Sequence, residues 1–465
     1  MSENQLSTQI LNAEKSDTKQ ISRKSRMWIA GILLFLAVLT GTIFAKTETL
    51  GGFYEESPLV NAADTAFVFI SACLVMLMTP SLALFYGGMV RKKNVLGTMM
   101  QSFVTLGVVT FIWVAYGYSL AFGPDINHLI GSLDWALLRH VGFAPNPSYS
   151  ATIPHQLFMI FQMMFACLTP ALITGAFAGR FKFKAYIMFL ILWITFIYCP
   201  LAHWVWGDGG WIKNLGGLDF AGGLVVHIGS GAAALASCLV LGDRLGYKKE
   251  AMPPHNLTLT FIGACLLWFG WFGFNAGSAL VAGQLATSAF VTTQIGAGMG
   301  VLAWCLTEWA NRGKTTVLGA LSGGIAGLVA ITPASGFVSA TGALVIGFLA
   351  GLVCYFAVSL KSKFNYDDSL DVVGIHGVGG ILGSLLVGVF ATTFINPDGA
   401  NGLIFGTYEL LWAQIISTIA SIAFSFCGTW LILKFLGRFM ELRVTEKQEM
   451  KGLDITQHSE NCYRI

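Results

Sequence analysis

Charged residues are scarce in this chain: Asp, Glu, Lys and Arg make up 11% of its 465 residues. Soluble globular domains carry about 25%, so the composition excludes an ordinary water-soluble enzyme. The net charge of +3 is weak evidence for a nucleic-acid partner, and we predict none. Cysteines are few and placed singly from Cys73 to Cys462, without a CxxC pair or metal-type spacing. We therefore predict no metal and no cofactor.

Apolar residues, by contrast, form 55% of the chain and gather into long runs. A helix needs about 20 mainly apolar residues to cross a bilayer. Eleven runs meet that requirement: 63–87, 95–121, 155–179, 183–202, 221–242, 256–276, 285–310, 316–332, 337–360, 372–394 and 408–437. The sequence predicts an all-α polytopic membrane protein with eleven transmembrane helices.

The distribution of Lys and Arg predicts the orientation, because cytoplasmic loops hold the excess of positive charge. If the first run begins outside, 24 of the 27 Lys and Arg residues fall on the cytoplasmic side, including the RKK stretch at 91–93. We expect an outside start, a cytoplasmic C-terminus and a location in the plasma or inner membrane.

A further apolar run, WIAGILLFLAVLTGTIFA at 28–45, follows a basic segment and ends in the small residue Ala45. A cleaved signal peptide and an uncleaved signal anchor both fit this pattern. The predicted organisation is thus residues 1–47 as a basic tail with a signal or anchor, 60–440 as the transmembrane domain and 441–465 as a cytoplasmic tail.

Two histidines lie inside apolar spans, where an ionisable side chain is costly and is a functional candidate by default. His227 is in DFAGGLVVHIGSGAAALASC and His376 is in DVVGIHGVGG. Each heads a helical stripe of small residues, and an aspartate stands near the start of each stretch, Asp219 and Asp371. Small-residue stripes also serve ordinary helix packing, so the stripes alone do not decide between packing and function.

The two histidines are five crossings apart, in the fifth and tenth spans, so their helices run in opposite directions. A repeated unit of five spans gives two inverted five-helix repeats plus a last helix, an arrangement typical of transporters. From the distances to Asp219 and Asp371 we expect the two rings at similar depth. The sequence permits a pair without requiring one.

Six blocks are specific enough to indicate a family. They are ALFYGGMVRKKNVL, WVAYGYSLAFG, LDFAGGLVVHI, GWFGFNAGSA, GALSGGIAGLVAITPASG and DVVGIHGVGG, in this order over most of residues 60–460. The chain resembles the ammonium transporters of the Amt branch of the Amt/Rh/Mep family. That resemblance implies a homotrimer with a separate pore in each subunit, a role in nitrogen utilization, and a transporter rather than an enzyme.

The resemblance also implies a site that recruits ammonium, or methylammonium as an analogue. The matching residues are Trp206, Phe165 and Ser278, with Asp219 needed to organise the site or the structure. Aromatic faces attract a small cation, and a hydroxyl can accept one of its hydrogen bonds. Gln162 and Asn275 either line this vestibule or bond across helices.

Deeper in the pore, Phe165 and Phe274 match the family's stacked gate, and His227 with His376 match its twin histidines. A bare cation loses much free energy on leaving water. We therefore expect ammonium to be deprotonated near the gate and ammonia to pass the histidines, whose proton affinity lies in the physiological range. Each aromatic has packing as its ordinary alternative.

The tail at 441–465 resembles the family's cytoplasmic tail, beside which a trimeric PII-type regulator docks in relatives; a solvated, flexible end is the alternative. Gly179 stands where relatives commonly carry Glu before Arg180, which puts an inner ion pair in doubt.

Two other functions remain open. One is an ammonium sensor that signals through the tail, although such relatives usually carry an appended signalling domain and we expect none here. The other is a haem enzyme with axial histidines, which no haem attachment motif supports.

Overall fold

The computed structural model describes residues 57–463, so the signal or anchor proposed in residues 1–47 lies outside the described part. Eleven helices follow one another there: α1 Ala62–Met89, α2 Lys92–Phe122, α3 His155–Phe177, α4 Phe183–Asn214, α5 Gly223–Leu241, α6 Leu257–Gly277, α7 Gln284–Arg312, α8 Val317–Ile331, α9 Ala340–Leu360, α10 Val373–Phe390 and α11 Glu409–Phe439. Ten are long and apolar enough to cross a membrane, and α8 is shorter, with 15 residues. The predicted all-α fold is confirmed.

Helix boundaries differ from the predicted spans where backbone geometry intervenes. α3 ends at Phe177 because Ala178 is extended and Gly179 has a φ of +83°. α4 continues past the predicted end at residue 202 and turns at 207–210 before its last residues. Four of the helices contain a π-helical turn, which could not be predicted from composition.

The helices pack as two halves with the same pattern of neighbours. α1 contacts α2 and α3 as α6 contacts α7 and α8, while α3 contacts α5 as α8 contacts α10. α1 and α6, the first helices of the two halves, pack along each other, and α11 contacts both α5 and α10. Because each half has five crossings, the second half runs in the opposite sense to the first. This is the inverted repeat expected from the sequence.

The first helix of each half begins at an asparagine cap. The side chain of Asn61 accepts hydrogen bonds from the amides of Ala63 and Asp64, and that of Asn256 accepts one from Leu259. Such caps satisfy amides that lack a partner within the helix. Equivalent caps at the starts of α1 and α6 therefore repeat the symmetry of the halves at residue level.

The tail forms two short helices, α12 Glu446–Lys451 and α13 Leu453–His458. α13 packs on the start of α2. Asp454 accepts a hydrogen bond from the Gly97 amide at 2.9 Å, and Asn94 accepts one from the Leu453 amide at 2.9 Å. We call this the tail end of the bundle. The opposite end carries a two-stranded hairpin, β1 Asp125–Ile126 with β2 Ile130–Gly131.

An ion-pair network holds the loops at the tail end despite Gly179. The fully buried Arg180 donates from Nη2 to the carbonyl of Asp367 at 2.6 Å and lies 3.9 Å from its carboxylate. Arg244 donates to the same carboxylate at 2.6 Å. The ion pair that the sequence put in doubt is therefore made, with Asp367 rather than an adjacent glutamate as the partner.

Candidate functional site

His227 and His376 meet at the centre of the bundle. The Nδ1 atoms of the two rings are 3.2 Å apart, and the ring centroids are 5.3 Å apart. Both side chains are buried. Each histidine lies in a π-helical turn at the start of its helix, Gly223–Ile228 in α5 and Val373–Gly377 in α10, and such turns are frequent at functional sites. The structure thus brings the two predicted pore residues together.

The stripes of small residues explain how α5 and α10 come this close. A Cβ added to Gly231 would lie 2.2 Å from the Cα of Gly377, and one added to Gly380 would lie 3.0 Å from the Cβ of His227. The stripes therefore serve the close packing of α5 and α10, and this close crossing is what allows the rings to pair.

The paired rings have complementary protonation. In a hydrogen bond between two Nδ1 atoms, one nitrogen carries the proton and the other is bare. The histidine with bare Nδ1 must then carry its proton on Nε2, whereas its partner has a bare Nε2. The neutral pair therefore presents one donor and one acceptor beyond its own bond. The buried Nε2 of His227 has no hydrogen-bond partner within residues 57–463.

Both histidines border a narrow cavity of about 10 Å³, close to the minimum for one water. The rest of its lining is apolar except for an indole: Met78, Leu82, Phe85, Leu168, Leu172, Leu267, Trp271 and Ile325. Trp271 stacks on His227 with centroids 5.6 Å apart, and its Nε1 donates to Thr332 at 2.8 Å. Sequence reasoning missed Trp271, although it lies in the block GWFGFNAGSA.

Two phenylalanines lie beside the histidine pair, on the side away from the tail. The rings of Phe165 and Phe274 stack with centroids 4.3 Å apart, and Phe274 lies 6.1 Å from the ring of His227. Both phenylalanines are buried. The structure therefore places the predicted gate in contact, immediately before the histidine pair.

A vestibule of about 170 Å³ lies beyond the phenylalanines. Trp206 stands edge-on to Phe165 with ring centroids 6.1 Å apart, and Ser278 donates to the Phe274 carbonyl at 2.8 Å. All three predicted recruitment residues other than Asp219 line this vestibule. Its remaining lining consists of Phe122, Ser148, Tyr149, Phe158, Gln162, Lys213, Phe220 and Leu280. Phe122 and Phe220 belong to the blocks WVAYGYSLAFG and LDFAGGLVVHI, although the sequence did not assign them to this site.

Asp219 lies behind the vestibule rather than in its lining. Its carboxylate accepts hydrogen bonds from the amides of Gly222, Gly223, Leu224 and Val225 at 2.6 to 3.3 Å. Burial raises the pKa of this carboxyl, while the four amides act to lower it. The Asp219 carbonyl accepts the indole N–H of Trp206 at 2.9 Å. Asp219 is thus the cap of α5 and also a support for Trp206.

The aspartate matched to Asp219 in the second half is Asp368, not Asp371 as the sequence suggested. Asp368 accepts the amide hydrogen bond of Val373 at 2.7 Å and is buried. Asp371 has a φ of +64°, outside the helix, and pairs with Lys361. The nearest aspartate to His376 was the wrong choice, because the chain turns away from helical geometry before α10.

Gln162 and Asn275 divide between the two roles considered for them. Gln162 lines the vestibule, and Asn275 donates across helices to Thr293 at 2.9 Å. Within residues 57–463, no group of three or more His, Cys, Asp or Glu side chains is arranged to hold a metal ion.

The fold and the route define a class: a multi-pass membrane protein of inverted repeats with a vestibule, an aromatic constriction and a buried histidine pair. Comparison with known proteins narrows it. The model of the Ammonium Transporter Family matches residues 66–463. The chain belongs to the ammonium transporter family, whose members are transporters and not enzymes.

Individual relatives cover nearly the whole described region. An ammonium transporter of Bacillus subtilis (strain 168) is 54% identical over 87% of this chain and 99% of its own length. Ammonium transporter Amt1 of Archaeoglobus fulgidus is 46% identical over 87% and 100%. The crystal structure of Saccharomyces cerevisiae Mep2 superposes with a TM-score of 0.79, at 38% identity over 84% of this chain and 89% of that chain.

Proposed function

We propose that this protein carries ammonium across the membrane by binding it in the vestibule, deprotonating it at the constriction and conducting ammonia past His227 and His376. The observation that carries the proposal is the hydrogen-bonded histidine pair in an otherwise apolar cavity with scarcely room for one water. A bare cation in such surroundings would lose most of its solvation, at a cost of tens of kcal/mol by continuum reasoning. Losing the proton removes that cost.

The vestibule suits the charged form of the substrate. Trp206 and Phe165 offer aromatic faces, and the hydroxyl of Ser278 offers an acceptor. Among residues 57–463 no carboxylate lines this space, and Lys213 does. The site therefore favours a cation that donates directional hydrogen bonds over any cation of the same charge. Recruitment by Trp206, Phe165 and Ser278, with Asp219 as a positioning residue, follows from this arrangement.

Passage beyond Phe165 and Phe274 requires that their stacked rings separate, since their centroids are 4.3 Å apart. A small neutral molecule then reaches the histidine pair, which presents one donor and one acceptor. The pair can accept a hydrogen bond from ammonia and donate one to it without itself becoming charged. The proton left behind either returns to the side from which it came or crosses separately.

The tail end faces the cytoplasm in this proposal, because the loops there carry most of the Lys and Arg residues. The membrane is then the plasma or inner membrane, and the tail helices α12 and α13 are available to a PII-type regulator in nitrogen utilization. A pull-down of such a regulator that is lost on deleting residues 446–458 would support this part.

We propose a homotrimer, and a polar side chain on the outside of the bundle supports the presence of a subunit interface. Gln294, in the middle of α7, is exposed, and its carbonyl accepts the indole N–H of Trp268 at 3.2 Å. A polar side chain facing lipid is costly, whereas a subunit interface would shelter it. Native mass spectrometry of the detergent-solubilised protein tests the assembly.

Reconstituted vesicles test the transport mechanism by recording current and labelled-methylammonium flux together. Replacing Trp206 by Leu should raise KM about 2- to 30-fold, because a cation–π contact contributes about 0.5 to 2 kcal/mol. Trp204→Leu, on the same helix but outside the vestibule lining, is the matched control and should leave KM unchanged. Flux without current would remove the separate passage of a proton. Saturable ammonium binding without flux would favour a sensor instead.

A further inference from the structure

A cleft of about 210 Å³ at the tail end lies where the tail packs on the start of α2. Its walls include Lys92 and Lys93 from the start of α2, and Lys451, Asp454, Cys462 and Tyr463 from the tail. The transport route does not include this cleft. Lys92 and Lys93 belong to the RKK stretch at 91–93.

Positive charge in the cleft is poorly balanced. Asp454 is the acidic residue among the lining side chains, and its Oδ1 is occupied by the Gly97 amide at the start of α2. The carboxylate of nearby Glu449 forms an ion pair with Arg443 at 2.8 Å and accepts a hydrogen bond from the Leu245 amide. Lys451 forms no ion pair within residues 57–463. Three lysines thus face one carboxylate, one oxygen of which is already engaged.

One acceptor in the cleft lining and one donor beside the lysines in sequence lack a protein partner. A buried Nη2 atom of Arg91, next to the lysines in sequence, has none among the described residues. Burial lowers the pKa of Arg91, and the charge of Arg244 lowers it further. The Oδ2 atom of the buried Asp454 is likewise without a partner there. An unpartnered acceptor that shares the cleft with three lysines suits an oxyanion that also carries a proton or hydroxyl group.

The like charges also stand on opposite sides of the contact. Lys92 and Lys93 belong to the helical bundle, whereas Lys451 belongs to the tail, so their repulsion opposes docking of the tail. Two contacts draw the sides together: Lys93 donates to the Met450 carbonyl at 2.6 Å, and Lys92 lies 5.5 Å from the ring centroid of Tyr463. A bound anion would convert the repulsion into an attraction shared by both sides.

We propose that this cleft binds a phosphate-bearing anion, which bridges Lys92 and Lys93 of the bundle to Lys451 and fastens the tail. Lysine is a common phosphate ligand. The cleft lies where α1 ends and α2 begins, which places it at the level of one membrane surface. Both the phosphate of a lipid headgroup and a soluble phosphate can reach it there. The inference does not depend on the transport mechanism proposed above.

The half-buried thiol of Cys462, in the lining, reports occupancy. The experiment measures the rate at which a neutral maleimide labels Cys462 in the purified full-length protein in phosphatidylcholine nanodiscs, with Cys462→Ser as background. Pyrophosphate at ten times its Kd should slow labelling about tenfold. Sodium chloride at the same ionic strength should not. Replacing part of the phosphatidylcholine by phosphatidylglycerol, without pyrophosphate, tests the lipid as the source.

Variants separate binding from screening. Lys92→Gln and Lys451→Gln should each raise the pyrophosphate concentration for half-protection about tenfold or more, since each removes a charge-assisted hydrogen bond. Lys447→Gln, an exposed tail lysine outside the cleft, is the matched control and should change nothing. Protection by either pyrophosphate or phosphatidylglycerol supports the site and identifies the source. Equal protection by chloride, no protection by either, or undiminished protection in both cleft variants would overturn the proposal.

Discussion

Asp219 and Asp368 occupy equivalent positions in the two halves, because each lies eight residues before a pore histidine. Each carboxylate accepts hydrogen bonds from backbone amides at the start of the helix that carries this histidine. The start of a helix carries partial positive charge and unpaired N–H groups. A buried carboxylate balances this partial charge and accepts hydrogen bonds from the N–H groups. The two aspartates therefore hold the π-helical turns in which the histidines lie, one from each end of the bundle.

Replacing Asp219 by Ala should nearly abolish methylammonium uptake and lower the melting temperature. Four amides lose their acceptor, and a buried unpaired amide costs about 1 to 3 kcal/mol. The Trp206 indole, bonded to the Asp219 carbonyl, should also shift. Uptake into vesicles and thermal unfolding in detergent measure the two effects. Asp219→Asn keeps one acceptor oxygen and should be intermediate, whereas wild-type uptake by the Ala variant would contradict the capping role.

The positions of the helices could be predicted because a membrane-spanning helix requires a long run of apolar residues. Apolar length fixed all eleven spans to within a few residues at most ends, and the five-span separation of His227 and His376 already indicated inverted halves. What composition could not supply is the vestibule. Tyr149, Phe158 and Phe220 reach it from separate segments, and only the tertiary fold brings them together.

The wrong choice of Asp371 shows a different limit. Counting back from a histidine assumes a continuous helix, but the left-handed backbone of Asp371 interrupts it and turns that side chain toward Lys361. The eight-residue spacing shared by Asp219 and Asp368 was visible in the sequence. The spacing alone did not show which carboxylate caps α10, whereas the hydrogen bonds to the backbone amides do.

Asp368 should give the protein a pH-dependent stability. Burial raises its pKa from the usual 3.8 to about 6, with Lys361 opposing and Asp371 reinforcing the shift. A carboxyl that holds its proton more tightly when folded stabilises the fold below about pH 4, and this contribution is lost as pH rises toward 6. The loss amounts to about 3 kcal/mol. Melting temperatures between pH 4 and pH 7 measure it.

The comparison that isolates this group is wild type against Asp368→Asn, because other groups titrate in both. The difference in melting temperature between the two proteins should change across pH 4 to 6 and level off above it. Asp398→Asn, at an exposed residue, serves as the control and should follow wild type at every pH. A constant offset between wild type and Asp368→Asn would show that Asp368 does not titrate in this range.

Asp367→Asn should destabilise the tail-end loops strongly. Burial acts to raise the pKa of Asp367, but the hydrogen bond from Arg244 and the charge of Arg180 outweigh it and hold the pKa below its usual range. Removing the charge leaves Arg180 buried without a counter-ion, which costs roughly 3 to 5 kcal/mol. We expect the melting temperature to fall by roughly 5 °C or more. Glu441→Gln, which breaks the exposed pair with Lys182, should cause no measurable change.

His227→Ala tests the pore itself. The pair loses its inner hydrogen bond, and His376 is left with an unpaired Nδ1 beside an enlarged apolar cavity. If the rings handle the proton or the neutral substrate as proposed, methylammonium uptake should be abolished, or should persist with an altered ratio of current to flux. Recording both in the same vesicles separates these results, and the exposed His128→Ala is the control for loss of any imidazole. A conducting path that does not pass the rings would not be affected by their removal. Full uptake with wild-type pH dependence in the His227 variant would therefore place the conducting path elsewhere.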